Sequence, residues 1–188
     1  MRPINLSNES FDEQIFDAEL STLEPPDHSR GGTSSVARVV CTTSGGSTFN
    51  AYLKRQHNYA FRDWRSGLLK RPTVLREKRC ILQLQRLGIH VPPLLVYRRS
   101  GARAYLITQA IDDYVDLNEA LNGADQPLHS AIVDAVVATL LPMHAHRWYH
   151  GALHPKHVLV QVDSSGVRIA LIDLEKMRRL FTGHRAAV

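Results

Sequence analysis

The 188-residue chain has a mass of 21.1 kDa, enough for one ordinary domain or two small lobes and too little for several independent domains. With 44% hydrophobic and 22% charged residues it has a globular composition, neither disordered nor fibrous. Its net charge of +5 is divided unevenly: residues 1–28 hold seven acids against Arg2, whereas residues 51–80 hold nine bases against Asp63 and Glu77. Such a basic stretch attracts phosphates of any kind without choosing among them. Cys41 and Cys80 lie far apart, which gives no support to a disulfide framework or a cysteine-based zinc site and fits a reducing compartment. Residues 1–20 are acidic and mixed, unlike a secretory signal. The longest apolar run, around Ala131 to Leu141, is broken by Asp134 and is read as too short for a bilayer, so a cytoplasmic location is expected.

In chain order, an acidic segment over 1–22 is followed by a break at Glu24-Pro25-Pro26-Asp27 and a loop of small residues, Ser29 to Ser35. The run Val36 to Cys41, the turn Thr43-Ser44-Gly45-Gly46 and the alternating run Ser47 to Lys54 predict an antiparallel hairpin ending at Lys54. Apolar spacing predicts a helix over Thr73 to Leu87, with Pro72 in its first turn and Gly88 as its stop. Strands are predicted at Leu94 to Arg98 and Ala104 to Thr108, so that a short strand ahead of the small-residue loop completes a five-stranded antiparallel sheet with one helix. Beyond the crossing Asp112-Asp113-Tyr114, helices are predicted over Leu117 to Leu121 and Ala131 to His146, then a histidine-rich loop and strands over His157 to Val162 and Val167 to Ile172.

Four features stand in a meaningful order: a Gly/Ser loop between strands, a lysine ending a strand, a glutamate on the next helix and an aspartate ending a late strand. Small residues at Gly31 and Gly32 let backbone N–H groups approach phosphate oxygens, although an ordinary hairpin turn has the same composition. Lys54 is placed to meet phosphates if Glu77 clamps it, with an exposed charge pair as the simpler alternative. Asp173, at a strand mouth, suits a hard cation; a surface aspartate capping a turn is the equally simple reading. Five histidines, His144, His146, His150, His154 and His157, cluster within fourteen residues. No strong zinc motif accompanies them, and structural roles are preferred. Nor is any nucleic-acid-binding motif recognisable.

The chain resembles the lipopolysaccharide kinase (Kdo/WaaP) family, including its InaA-type members, over about Glu24 to Arg179. The resemblance rests on Arg30-Gly31-Gly32-Thr33-Ser34, Tyr52-Leu53-Lys54-Arg55-Gln56, Arg76-Glu77, Leu87 to Pro92, His150 to His157 and Leu171 to Lys176. It implies an α+β, protein-kinase-like fold in one domain, with an N-lobe over 23–111 that covers ATP and a reduced, mainly helical C-lobe over 112–188. It further implies that Arg30, Gly31, Gly32, Thr33 and Ser34 form the nucleotide loop, that Gln109 and Ile111 belong to the adenine-binding hinge, and that Lys54 pairs with Glu77. Asp173 would hold Mg²⁺, His157 would occupy the second metal-ligand position and His150 would orient the catalytic loop.

By the same resemblance the reaction is transfer of the ATP γ-phosphate to a sugar hydroxyl of the lipopolysaccharide core. An anionic, lipid-linked acceptor at the inner membrane would also use Arg62, Arg65, Lys70 and Arg71. Kinase-type loops carry an aspartate base and an asparagine metal ligand where this chain has Ala152 and His157. His154 is the candidate replacement base. A pseudokinase-like nucleotide-binding or scaffold protein is the alternative.

Overall fold

The computed structural model describes residues 3–6, 10–63 and 68–180. The chain divides into two compact units, the first made of Met1–Lys78 and Pro93–Ala110, the second of Arg79–Pro92 and Ile111–Val188. The first unit contains β1 (Ile4–Asn5), α1 (Glu13–Asp17), β2 (Thr33–Thr42), β3 (Thr48–His57), β4 (Ala60–Asp63), β5 (Leu69–Pro72), the start of α2 (Thr73–Arg86), β6 (Leu94–Ser100) and β7 (Arg103–Gln109). Its main sheet has the order β1-β2-β3-β7-β6.

The hairpin β2–β3 runs in unbroken register from Thr33 beside His57 to Thr42 beside Thr48. At its turn Gly46 donates to the Thr43 carbonyl with a φ of 85°, a left-handed conformation that favours glycine. The sheet is not wholly antiparallel as the sequence predicts, because β1 lies parallel to β2, with Ile4 beside Cys41. A parallel partner cannot follow through a tight turn, and β1 reaches the sheet edge by the long connection that includes α1.

Side chains alternate across β3, and this alternation separates the apolar core from the polar residues of the strand. On one side Ala51 and Leu53 join Ile4, Val39, Cys41, Val96, Tyr105 and Ile107 in a buried cluster. Phe11, Ile15, Phe16 and Leu20 pack against that cluster, so the acidic leading segment is part of the sheet's cover. Its acids also take up base: Arg103 pairs with Glu13 at 2.7 Å and with Asp17 at 3.3 Å. Arg55 donates to the carbonyls of Phe16 and Ala18 at the end of α1. On the other side of β3 lie Lys54 and Gln56.

A second hairpin, β4–β5, stands apart from the main sheet and has no counterpart in the sequence reading. Its run of bases, with few alternating apolar residues, hides the strand period.

The second unit holds the remainder of α2, β8 (Val115–Asp116), α3 (Leu117–Asn122), α4 (Gln126–Ala145), β9 (Trp148–Tyr149), β10 (Val158–Asp163), β11 (Gly166–Leu171) and β12 (Arg178–Arg179). The strands form a three-stranded sheet, β11-β10-β8, and a two-stranded pair, β12-β9. Helix α4 starts five residues earlier than its apolar periodicity predicts, because Asp125 caps it by accepting from the Leu128 N–H at 3.0 Å and Pro127 fits its first turn. At 20 residues it is long and apolar enough, by length and composition alone, to cross a bilayer; the run 131–141 on which the sequence reading rested is only its central part. Val133, Val137 and Leu141, spaced by four, are each about half exposed on it.

Candidate functional site

In the first unit, the loop ahead of β2 is a single 3₁₀ turn over Ser29–Gly31. Gly31 has a φ of 72°, and a Cβ on Gly32 would fall 2.3 Å from the His57 carbonyl oxygen. The second glycine is therefore required by the close approach of two backbones. The turn is pinned by Asp27, whose carboxylate accepts from the Ser29 N–H at 2.7 Å, from the Ser29 hydroxyl at 3.1 Å and from the Tyr59 hydroxyl at 2.5 Å. Asp27 and Tyr59 are missed by sequence reasoning, since one sits in a Pro-rich break and the other past the lysine strand. Thr33 opens β2 beside His57, and Arg30 lies within the 3₁₀ turn.

Lys54 Nζ lies 2.8 Å from Glu77 Oε2, with side-chain exposures of 14% and 12%. The strand lysine and helix glutamate predicted to pair are thus joined by a charge-assisted bond in a largely dry setting. A buried polar network sets that geometry. Gln56, fully buried, donates to the Thr73 hydroxyl at 2.6 Å and to the Ser34 hydroxyl at 3.3 Å, while its carbonyl accepts from the Val74 N–H at 3.0 Å. One amide therefore ties β2, β3 and the first turn of α2 together and fixes where Glu77 meets Lys54. The same bond engages the Ser34 hydroxyl, so Ser34 has a structural partner beside its expected place in the loop. The N–H groups of Gln109 and Ala110 are also engaged, by the carbonyls of Pro93 and Asn50; Ile111 follows, where the chain passes back into the second unit.

In the second unit, the histidine-rich loop and the strand-end aspartate are closely tied. His150 is 2% exposed and donates its Nε2–H to the Ile172 carbonyl at 2.8 Å. The Ile172 N–H in turn donates to the His157 carbonyl at 3.0 Å. A Cβ on Gly151, at φ 78°, would meet the Lys176 carbonyl oxygen at 2.4 Å, so only glycine lets these two segments pass. Burial holds the His150 imidazole below its ordinary pKa, aided by the charges of His157 and His154 and opposed by the Ile172 bond and Asp173. Its buried Nδ1 has no hydrogen-bond partner among the described residues.

Asp173 adopts a left-handed backbone, φ 57° and ψ 55°. Its Oδ2 lies 3.7 Å from His157 Nε2. His157 donates its Nδ1–H to the Ala152 carbonyl at 2.7 Å, a bond that leaves Nε2 directed to the Asp173 side. His154 is exposed, with its ring edge-on to His157 at 5.4 Å, and the His144 ring stacks on Tyr149 at 5.2 Å. Among the described residues no group of three or more His, Cys, Asp or Glu is arranged to hold a metal ion. Magnesium makes a different demand, since it is held by one or two carboxylates completed by phosphate and water oxygens. Asp173, about one-third exposed, meets that demand, whereas the imidazole of His157 is a poor ligand for so hard an ion.

Sheets and helices mix in an α+β fold, and the family whose model the chain matches is a kinase family. The chain belongs to the lipopolysaccharide kinase (Kdo/WaaP) family, which matches over residues 13–188. It is similar to Protein InaA of Escherichia coli (strain K12), with 27% identity over 166 residues, covering 84% of this chain and 74% of that protein.

Proposed function

We propose that the chain is an ATP-dependent phosphotransferase with an altered catalytic loop, acting on a sugar hydroxyl of the lipopolysaccharide-core class. The observation that carries this reading is the Lys54–Glu77 pair at 2.8 Å, placed by a buried network on the side of β3 away from the apolar core. A cation held there by a carboxylate is positioned to meet α- and β-phosphate oxygens. In this reading the backbone of 30–34 cradles phosphates, Gln109 and Ile111 belong to the stretch that receives adenine, and Asp173 holds magnesium. Bound magnesium would neutralise charge on the phosphate oxygens during transfer.

The acceptor hydroxyl oxygen forms the new bond to the γ-phosphorus, the bond from that phosphorus to the ADP oxygen breaks, and the hydroxyl proton passes to a base. Ala152 cannot be that base. His154, an exposed imidazole in the same loop, is the candidate. General-base help is worth about 10²–10⁴ in rate, so a slow enzyme is the expectation. The second reading is a nucleotide-binding pseudokinase, favoured by the methyl side chain of Ala152 and by the bond that ties its carbonyl to His157.

Calorimetric titration of ATP with and without magnesium tests the reading. Magnesium-dependent binding lost in both Lys54→Met and Asp173→Ala is expected. Absence of binding by the folded parent protein overturns it. Binding without turnover on any core-type acceptor favours the pseudokinase.

A further inference from the structure

The leading segment does not close over the whole of the main sheet. Where β2, β3 and β7 meet the end of α1, a cleft of about 390 Å³ stays open, lined by Phe16, Asp17, Ser35, Arg55, His57 and Arg103 among others, a volume in the range of small-molecule sites. All of these residues belong to the first unit. Strand alternation puts Arg55 and His57 on the side of β3 shared with Ala51 and Leu53, so the cleft opens on the face of the sheet opposite Lys54. In the register Ser35 stands beside Arg55, and Arg103 beside His57. The two arginines are therefore diagonal neighbours on adjacent strands, with backbones about 7–8 Å apart, and their long side chains can reach one ligand.

The fold uses only one nitrogen of each guanidinium. Arg55 donates from Nη1 to the carbonyls of Phe16 and Ala18. Arg103 donates from Nη1 to Glu13 and Asp17, and its guanidinium lies 5.2 Å over the Phe16 ring. Both forks are thus held in place, while Nε and Nη2 of each, and the Ser35 hydroxyl, make no hydrogen bond among the described residues. Arg55 is partly buried; this burial lowers its pKa, opposed by the charge of Asp17. A cation partly withdrawn from water gains more from an anion than an exposed one does. A carboxylate matches one fork in one plane, whereas two forks from neighbouring strands suit the oxygens of a tetrahedral phosphoryl group. Asp17 repels a bare anion but accepts from a hydroxyl carried on the same molecule.

We propose that this cleft binds a small hydroxylated phosphate ester, with Arg55, Arg103 and Ser35 donating to the phosphoryl oxygens and Asp17 accepting from the ligand's hydroxyl. The site is independent of the nucleotide reading.

The test is calorimetric titration of the full chain with glycerol 3-phosphate, inorganic phosphate and glycerol. Glycerol 3-phosphate should bind about tenfold more tightly than inorganic phosphate, and glycerol should not bind. Arg103→Gln should weaken glycerol 3-phosphate about tenfold or more, through loss of a charge-assisted contact. Its melting temperature should stay within about 4 °C of the parent, because the ion pairs it gives up are exposed. Asp17→Asn should reduce the preference for glycerol 3-phosphate over inorganic phosphate to about threefold or less, a change in selectivity that a merely structural role would not produce. Lys54→Met, on the opposite face of β3, should leave both affinities unchanged, which separates this site from the nucleotide reading. No binding by the folded parent protein overturns the proposal. So does binding indifferent to Arg103→Gln, which reduces it to general anion adsorption, or binding abolished by Lys54→Met, which moves the phosphate to the other face. A preference unchanged in Asp17→Asn overturns the hydroxyl contact.

Discussion

Replacing Lys54 by methionine should separate what the Lys54–Glu77 pair does for stability from what it does for nucleotide. The substitution keeps the length and apolar stem of the side chain and removes the ammonium 2.8 Å from Glu77 Oε2. A hydrogen bond to a charged group contributes about 1.5–3 kcal/mol, and a carboxylate left behind in a dry site costs about 3–5 kcal/mol when fully buried. Glu77 keeps 12% of its side-chain exposure and further interactions of its own, which places the expected loss near the lower figure, about 3 kcal/mol. For a chain of this size that is a fall in melting temperature of about 6–12 °C. In Lys54→Met with Glu77→Leu the stranded charge is gone, and stability should return to within about 1 kcal/mol of the parent. Neither protein should bind Mg-ATP. Differential scanning fluorimetry and calorimetric titration on the three proteins decide the matter. A single variant that melts within about 3 °C of the parent refutes the burial argument, and a double variant that still binds nucleotide refutes the phosphate role of Lys54.

Gly151→Ala should destabilise the second unit by at least about 2 kcal/mol, combining left-handed strain with the 2.4 Å approach to the Lys176 carbonyl; a melt unchanged from the parent contradicts it. Ala152→Asp should raise phosphoryl transfer to an accepted sugar by about 10²-fold or more if a missing base limits the rate, and an unchanged rate shifts the limitation to acceptor binding. His150 has its folded pKa depressed by burial, so below about pH 6.5 the unfolded state takes the proton first. Stability then falls as pH drops through that range, by up to about 1.4 kcal/mol per pH unit for this one proton. Urea titrations at stepped pH should show a flatter acid limb in His150→Gln, and equal slopes in both proteins would remove His150 as the cause. The Cys41 thiol is pushed up to about 11 by burial, so at pH 8 it should react with a thiolate-selective disulfide reagent at least about a hundredfold slower than a free cysteine. Fast formation of the mixed disulfide at Cys41 in the folded protein, with release of the reagent's thiolate, would contradict its burial.

Much of the architecture was legible because it is written in local pattern. The β2–β3 hairpin, the helix after Pro72 and the strands β10 and β11 follow from alternation, periodicity and turn residues, and each lies within a few residues of its predicted bounds. The parallel placement of β1 was not legible, because the partner of a two-residue strand is chosen by tertiary packing. The same holds for the leading segment: its acids dominate its composition, yet Phe11, Ile15 and Phe16 decide where it lies. At the candidate site the Lys54–Glu77 pair was legible through resemblance. Gln56 was not, since a lone amide in an alternating strand gives no sign that it will join Ser34, Thr73 and Val74. The hairpin β4–β5 was hidden because its bases follow no apolar period. Arg65, grouped with the basic patch, lies outside the described residues.

The leading segment's position over the sheet has a consequence for how the first unit opens. Its hold on the sheet consists of partly buried apolar side chains, two exposed ion pairs from Arg103 and the carbonyls gripped by Arg55, whereas β2 and β3 are joined along ten consecutive residue pairs. In native-state hydrogen exchange the amides of α1 should belong to an early, salt-sensitive opening unit, and those of β3 to the last. The core of the sheet would then be exposed in steps, from the acidic side inward, while the Gln56 network on the opposite side stays closed.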